Sequence, residues 1–163
     1  MTFSAVEIES PVGKLTLIAD EKSLRGVLWE NDELLPKFLA KKTKAAKNLI
    51  LSRAKKQLHE YFSGKRKTFD IPIHFEGTKF QKRVWNSLRK IPYGKTQSYS
   101  GLAKTVGSPK ACRAVGAANS KNPISIFVPC HRVIGADGKL VGFGGGLNNK
   151  EVLLNLESSW NGA

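Results

Sequence analysis

The sequence is poor in cysteine, in long apolar runs and, over its second half, in acidic residues. Its 163 residues include two cysteines, Cys112 and Cys130, so a disulfide framework is excluded and a reducing cytoplasm is the simplest setting. No apolar run reaches the roughly 18 residues that a spanning helix needs, and the first residues lack the basic and apolar regions of a secretory signal. We therefore expect a cytoplasmic globular chain without a membrane partner, built as one ordinary domain or two small lobes.

Positive charge is abundant and unevenly distributed. Residues 1–70 hold 14 basic and 9 acidic groups, whereas residues 71–163 hold 13 basic and 4 acidic groups. The whole chain has a net charge of +14 and a pI near 10.0. Such a balance favours a polyanionic partner such as nucleic acid, although a basic and highly soluble protein without one has the same composition. The second half is the better candidate for the binding lobe.

The first part of the chain predicts a small α/β lobe, and we place its boundary between residues 72 and 73. Short segments rich in β-branched and aromatic residues predict a three-stranded antiparallel meander. These segments are residues 3–9, 13–19 and 24–30. Apolar residues at helical spacing predict a short helix over 34–42 and a longer one over 46–63. Residues 65–78 are interpreted as a strand and a linker.

Residues 73–163 predict a mainly helical second domain. A helix over 79–90 can be capped by Thr78. Two short helices follow over 98–106 and 109–119, the second with Ser108 as its cap and Pro109 at its first position, and together they predict a helix-turn-helix. A buried strand over 123–128, a glycine-rich loop over 137–147 and a helix over 148–157 complete the prediction.

The predicted helix 109–119 is unusual in its small side chains. Arg113 stands among Ala111, Ala114, Gly116 and Ala117. Tight packing in a core explains such a set, but a helix that approaches a duplex closely, with one long cation projecting from it, explains it equally.

Cys130 is the residue on which a chemical function depends. It follows the predicted strand 123–128 after Pro129 and precedes His131, Arg132 and the glycine-rich loop, which indicates a turn at the edge of a pocket and not a core position. Inert packing is the commoner role of an arbitrary cysteine. An imidazole beside the thiol can take its proton and make the nucleophilic thiolate accessible near neutral pH. Glu157 is a candidate for orienting that imidazole.

Metal and phosphate sites are poorly supported by the sequence. There is no CxxC pair and no second Cys–His cluster, so no metal or other cofactor is predicted. The glycines at 142–146 are not followed by GK[ST], so they do not form a P-loop.

Taken in order, these motifs resemble the O6-alkylguanine-DNA alkyltransferases, also called methylated-DNA–protein-cysteine methyltransferases. The likeness is strong over about residues 57–163 and general over 1–56. The matching segments are Gly94–Lys95–Thr96, Ser98–Tyr99, Leu102–Ala103, Pro109–Lys110–Ala111–Cys112–Arg113–Ala114–Val115–Gly116, Asn122–Pro123, Pro129–Cys130–His131–Arg132–Val133–Ile134 and Gly142–Phe143–Gly144–Gly145–Gly146–Leu147.

The resemblance implies an α/β (α+β) architecture and a single-turnover repair reaction. The first lobe, residues 1–72, would be ribonuclease-H-like, and residues 73–163 would be winged-helix-like and carry the helix-turn-helix. An alkyl group would pass irreversibly from O6 of guanine in double-stranded DNA, and less reliably from O4 of thymine, to Cys130. Because the target atom lies inside the base stack, the nucleotide must be flipped out. The protein would act as a monomer.

The resemblance also assigns site residues. A water-bridged relay would join Cys130, His131 and Glu157. Tyr99 would rotate the phosphate, hydrogen-bond the guanine and supply a proton to it, and Asn122 would brace the site. Arg113 would replace the flipped base while Ala114 and Gly116 let the helix enter the minor groove. Further residues would line the pocket, namely Val128, Val133, Phe143 and Gly144.

Phe143 and Gly144 depart from common family variants. Phe143 stands where tyrosine is common, which keeps stacking without the hydroxyl. Gly144 stands where some members have serine or alanine, which would widen the pocket.

Two other functions remain open from the residues alone. A helix-turn-helix regulator would use Cys130 as a redox sensor and would function with serine in its place under reducing conditions. A cysteine hydrolase would use Cys130 and His131 and would turn over more than once, although its base normally comes from elsewhere in the fold.

Overall fold

The computed structural model describes residues 3–32 and 48–161, with the side chains of 159–161 outside the description. The chain forms two compact units, Met1–Phe75 and Glu76–Ala163. The short helix predicted over residues 34–42 lies outside the described residues. Within the described part of the chain, no helix has the length and hydropathy needed to cross a membrane.

The described part of the first unit contains an antiparallel sheet and one helix, and the sheet confirms the predicted meander. Its strands run in the order β1-β2-β3, with β1 at Ser4–Ile8, β2 at Leu15–Ala19 and β3 at Leu24–Leu28. All five residues of β2 are buried. Gly13, with φ of 93°, allows the left-handed turn that reverses the chain between β1 and β2.

Helix α1, Leu49–Phe62, packs on this sheet. It begins at Leu49 because the side chain of Asn48 accepts a hydrogen bond from the Leu51 N–H. The strand predicted within 65–78 is reduced to a bridge between Ile73 and Leu24 of β3.

The second unit is built from four helices and a two-stranded parallel pair. The helices are α2 at Lys79–Leu88, α3 at Tyr99–Thr105, α4 at Cys112–Ser120 and α5 at Leu147–Asn161. Strands β4, Gln97–Ser98, and β5, Val133–Ile134, were not predicted. Thr78 and Gln81 form a capping box at the start of α2, as the sequence indicated for Thr78. Helix α4 packs on α3, as in a helix-turn-helix, and on α2.

The predicted start of α4 is wrong by three residues. Pro109 and Lys110 belong to a turn that the Ala111 N–H closes on the Ser108 carbonyl at 2.9 Å. Ala111, at φ −103° and ψ 36°, lies outside helical geometry, and no side chain caps the helix. The proline therefore shapes the turn between α3 and α4 and does not begin α4.

The predicted strand 123–128 is also wrong, although the segment is largely buried. The chain turns back on itself, with the Val128 N–H bonded to the Ile124 carbonyl at 3.0 Å. Ile126 takes a left-handed backbone with φ of 76° while its side chain is 1% exposed. This conformation costs an L-residue about 1–2 kcal/mol, so packing must hold it. The tight turn delivers the chain to Cys130.

Candidate active site

Cys130 begins a single 3-10 turn, Cys130–Arg132, directly after the Ile126 turn. Its backbone N–H bonds to the Val128 carbonyl at 2.8 Å. The residue is 3% exposed, between the fully buried Val128 and Val133. The predicted turn is confirmed, but the expectation that Cys130 lies outside the core is wrong, because the apolar residues on both sides carry the thiol into the interior.

The structure brings His131 and Glu157 together in the interior. The His131 Nε2 lies 2.6 Å from Glu157 Oε2, with the two side chains 0% and 1% exposed. Because Nε2 faces a carboxylate, we assign the proton of the neutral ring to Nε2. Nδ1 is then the acceptor atom, and it is buried without a hydrogen-bond partner among the described residues.

Arg132 completes a buried ion cluster that the sequence reasoning missed. Its Nε and Nη2 donate to the two oxygens of Glu157 at 2.9 and 3.0 Å, and its Nη1 donates to the Ile91 carbonyl at 2.7 Å. The Gly94 N–H also donates to Glu157, at 3.2 Å. A bidentate arginine fixes the position of the carboxylate, so Arg132 holds the group that orients His131.

The pKa shifts describe a site that is neutral at the thiol and at the imidazole. Burial raises the pKa of the Cys130 thiol, although hydrogen bonds from Asn122 and Ser125 and the charge of Lys150 oppose it. Burial lowers the pKa of His131 and outweighs the opposing effect of Glu157. Burial alone would raise the pKa of Glu157, but the hydrogen bonds and charges of His131 and Arg132 hold it at about 2. Near neutral pH the thiol therefore keeps its proton and the imidazole is neutral, and both shifts oppose transfer of that proton to the ring in the free protein.

Lys150 is a second residue that the sequence reasoning missed. It is fully buried, and its Nζ donates to the Val133 carbonyl at 2.5 Å and to the Val141 carbonyl at 3.0 Å. Burial lowers its pKa, and the nearby Cys130 opposes that shift. The sequence contained a signal for its burial. Leu153 and Glu157 follow Lys150 by three and seven positions, so the three residues lie on one helical face.

Tyr99 lies against the glycine-rich loop. Its hydroxyl donates to the Val141 carbonyl at 2.8 Å, and burial raises its pKa, so it keeps its proton. A Cβ at Gly116 would lie 3.6 Å from the Tyr99 ring, and a Cβ at Gly144 would lie 3.2 Å from the Ser120 carbonyl. A glycine at position 144 therefore lets the loop approach α4 closely, whereas a Cβ at Gly116 would make an ordinary contact with the tyrosine ring. The ring of Phe143 lies 6.0 Å from the Lys150 Nζ.

The side chain of Asn122 bonds to two backbone groups of the turn before Cys130. Its Nδ2 donates to the Val128 carbonyl at 2.8 Å, and its Oδ1 accepts from the Ile124 N–H at 3.0 Å. These two bonds hold the backbone of the turn in place, and Asn122 also opposes the rise that burial produces in the pKa of the Cys130 thiol.

Arg113 and Ala114 lie apart from the buried cluster. Both are exposed on α4, whereas Val115, Ala118 and Asn119 form its buried face. They are therefore available to a partner outside the chain. No group of three or more potential metal-ligating side chains occurs within residues 3–32 and 48–158.

Two protein-family models match the chain. The model described as 6-O-methylguanine DNA methyltransferase, ribonuclease-like domain, matches residues 7–75. The model described as 6-O-methylguanine DNA methyltransferase, DNA binding domain, matches residues 79–159.

Individual relatives match over nearly their whole length. A methylated-DNA–protein-cysteine methyltransferase of Methanosarcina acetivorans is 48% identical over 151 residues, which cover 93% of this chain and 96% of the relative. A constitutive one of Bacillus subtilis is 46% identical and covers 91% and 92%. The crystal structure of Mycobacterium tuberculosis OGT in complex with DNA superposes with a TM-score of 0.87 at 43% identity, covering 98% of this chain and 94% of that one.

Proposed function

The chain belongs to the O6-methylguanine-DNA methyltransferase family, and on that premise we propose that it repairs DNA by moving an alkyl group from O6 of guanine to Cys130. The observations that carry this proposal are the buried thiol of Cys130 and, on the next residue of the chain, an imidazole that Glu157 holds in place. O4-alkylthymine is proposed as a second substrate of the same chemistry.

The transfer is a single displacement at the alkyl carbon. The Cys130 Sγ forms a bond to that carbon while the bond from the carbon to O6 breaks, and the electron pair of the broken bond returns to the guanine. The thiol proton passes to His131 Nδ1, in our proposal through a water molecule, and Glu157 stabilises the imidazolium that forms. Guanine regains its N1 proton, and the thioether that remains on Cys130 is a poor leaving group, so each chain acts once.

Tyr99 is proposed as the donor to the departing guanine. Its hydroxyl is protonated, since burial raises its pKa, and in the free protein it is bonded to the Val141 carbonyl. Entry of the base would exchange that carbonyl for the guanine. His131 would then return the thiol proton to the site through Tyr99 or water.

Helix α4 is proposed to enter the minor groove of the DNA. The exposed Arg113 would fill the space that the flipped nucleotide leaves, and Ala114 and Gly116 would let the helix approach the duplex closely. The excess of basic residues in the second half supports binding to phosphates.

The pocket is proposed to lie between the Cys130 turn and the glycine-rich loop. Val128 and Val133 would form its apolar wall, Phe143 would stack on the base, and the Gly144 N–H would reach O6. Asn122 would keep the turn in the shape that presents the sulfur. Since all of these groups come from one chain, we propose that a monomer acts on double-stranded DNA, in the cytoplasm, where the thiol stays reduced.

The test is a stoichiometric transfer assay. Incubation with duplex DNA carrying O6-methylguanine should add about 14 Da, one methyl group, to Cys130. Peptide mass spectrometry locates the adduct, and titration of the duplex measures the number of turnovers. An adduct at another residue contradicts the proposal, and so does release of more than one guanine per chain, which a hydrolase would give. Full function of Cys130→Ser would instead support a regulator.

The role of Arg113 is tested by comparing two substrates. Arg113→Ala should slow repair of the duplex by at least about tenfold, because the unstacked state loses its support. It should leave the reaction with free O6-benzylguanine nearly unchanged, since no duplex has to open. Lys110→Ala, which removes an exposed cation from the turn before α4, is the matched control for lost charge. Equal losses on both substrates would remove the wedge role.

A further inference from the structure

Helix α2 and the two residues after it carry a row of positive charge on their exposed side. This row, which we call the α2 stripe, consists of five exposed cations, namely Lys79, Lys82, Arg83, Arg89 and Lys90. At 3.6 residues per turn, these positions fall within about 120° around the helix axis. The opposite side of α2 is buried through Val84, Trp85 and Leu88. The stripe is therefore a single continuous surface.

The stripe has no acidic counterpart. Residues 77–136 contain 11 basic residues and no acidic one. Among the described residues, no ion pair involves any of the five cations. The first unit differs, because Arg53 of α1 lies 3.7 Å from Asp70, and Arg66 lies 3.1 Å from Glu60. A solvated face of mixed charge explains the first unit but not the stripe.

The arrangement of charges is unfavourable for α2 itself. Lys79 is the first residue of the helix, where the positive end of the helix dipole repels a cation. Lys82 and Arg83 follow it by three and four positions, so like charges meet on one face. The dipole favours Arg89 and Lys90 at the other end of the helix, but it opposes the three cations at the start. A partner that supplies negative charge accounts for all five.

The stripe is separate from the exposed face of α4. The Trp85 indole, on the buried side of α2, donates to the Ala118 carbonyl of α4 at 2.8 Å. Ala118 belongs to the buried face of α4, whereas Arg113 is exposed. Because the two helices meet through their buried sides, the width of α2, about 10 Å, lies between the stripe and α4. A duplex bound to α4 therefore leaves the stripe open to a second one.

Double-stranded DNA fits the stripe in charge and in length. From Lys79 to Lys90 the stripe extends about 16 Å, which is the rise of about five phosphates along one DNA strand. Of the large apolar side chains that are exposed among the described residues, none lies on α2, so the stripe lacks the anchors that a helix buries in a membrane surface.

We propose that the α2 stripe binds the backbone phosphates of a second segment of double-stranded DNA while α4 holds the first. The protein then passes directly from one segment to the next without a period in solution. The inference rests on the proposed function only in taking double-stranded DNA as the partner of α4.

The experiment measures how a second duplex affects release of the first. A short, undamaged, fluorescent duplex is bound to the protein, and unlabelled duplex of the same sequence is added at increasing concentrations. Stopped-flow anisotropy gives the dissociation rate of the fluorescent duplex. Direct passage makes this rate rise with the concentration of unlabelled duplex, whereas simple dissociation is independent of it. Since the DNA is undamaged, the measurement does not depend on alkyl transfer.

Two triple variants with the same net charge are compared. The stripe variant replaces three cations of the stripe, namely Lys82→Gln, Arg89→Gln and Lys90→Gln. The control variant replaces three exposed lysines of the first unit, namely Lys55→Gln, Lys56→Gln and Lys65→Gln. Glutamine is a good helix former, so both variants should fold, which circular dichroism checks.

The stripe variant should lose direct passage. The part of the dissociation rate that depends on unlabelled duplex should fall at least about tenfold, because three phosphate contacts are removed. The control variant should keep this part of the rate within about twofold of the wild type. Single-turnover methyl transfer from a saturating duplex with O6-methylguanine should be the same in all three proteins, since the stripe does not contact that duplex.

A wild-type dissociation rate that is independent of unlabelled duplex would overturn the inference. Equal losses in the two variants would also overturn it, because they would reflect net charge alone. An equally large loss of affinity of the stripe variant for one duplex would assign the stripe to the first segment, and acceleration by RNA duplex but not by DNA would assign it to RNA. Failure of the wild type to accept methyl would overturn the proposed function but not these measurements, so the two failures are distinguishable.

Discussion

The two units bury different kinds of side chain. The described part of the first unit has an apolar core around β2, and its buried polar residues are the uncharged Thr16, Ser23 and Gln57. The second unit buries four titratable or charged side chains around its cysteine. These are His131, Arg132, Lys150 and Glu157.

The difference shows where stability and chemistry are in conflict. Charged groups are costly to bury unless every one is paired and hydrogen-bonded. The second unit meets that requirement at the Arg132–Glu157 pair, whereas Lys150 is hydrogen-bonded to two carbonyls. The first unit has a partly buried pair, Arg25 and Asp20, with side chains 8% and 14% exposed. Substitutions should therefore have separable effects in the two units.

The largest contrast is expected between Cys130→Ala and Leu17→Ala. Cys130→Ala should abolish methyl transfer with little change in the free energy of unfolding, since a small buried side chain is replaced by a smaller one. Leu17 is fully buried in β2, so its truncation should cost about 2–5 kcal/mol while the folded protein still transfers methyl to Cys130. Mass spectrometry and urea unfolding measure the two effects. Methyl transfer to the Cys130→Ala variant would contradict the contrast.

Glu157→Gln should lower both the free energy of unfolding and the rate of methyl transfer, with a smaller contrast than the previous pair of variants. The change leaves Arg132 buried without its countercharge, which should cost about 3–5 kcal/mol, and it should also slow transfer because His131 loses its anionic partner. Asp20→Asn is the matched control, because it removes the carboxylate of the 2.8 Å pair with Arg25 away from the cysteine. That variant should lose less stability and keep its transfer rate. Equal effects of the two variants on the rate would show that the contrast between the units is wrong.

As the pH falls, the two units should begin to lose stability at different pH values. The folded-state pKa of His131 is lowered from 6.5, so its contribution to stability is present above pH 6.5 and is lost as the pH falls. Glu157, lowered from 4.5 to about 2, adds a second loss below pH 4.5. Asp20 in the first unit, lowered from 3.8 to about 2, contributes its loss only below pH 3.8.

Amide hydrogen exchange followed by NMR at about pH 7 and about pH 5 measures this difference. On going to the lower pH, amides of the second unit should lose protection before those of the first unit. His131→Gln, which does not titrate, should reduce the difference between the two pH values. Equal protection of both units at the lower pH would contradict the assigned shifts.

The sequence predicted the elements with strong local signals. The β-branched and aromatic residues of the segments within 3–30 predicted the sheet, and Thr78 predicted the start of α2. It failed where tertiary packing overrode local preference. Ser108 and Pro109 suggested a helix start, but a turn forms there, and the β-rich segment 123–128 turns back with Ile126 in a left-handed backbone.

The candidate site was predictable in part for a similar reason. Cys130 and His131 are adjacent, and Glu157 stood out as one of four acidic residues in the second half. Lys150 escaped notice, because a lysine on an amphipathic helix usually faces solvent. Its burial depends on how α5 packs within the second unit, which residue spacing alone does not show.

The buried ion cluster has a consequence for any attempt to move this chemistry into another protein. The five residues from Pro129 to Val133 would carry the sulfur and the imidazole into a new host. The carboxylate that holds the imidazole comes from 26 residues further along the chain, and the cation near the sulfur comes from Lys150 on the same helix. A loop transferred alone would contain the cysteine without the groups that make it reactive. The smallest segment that could be transferred with its chemistry therefore extends from that loop through α5.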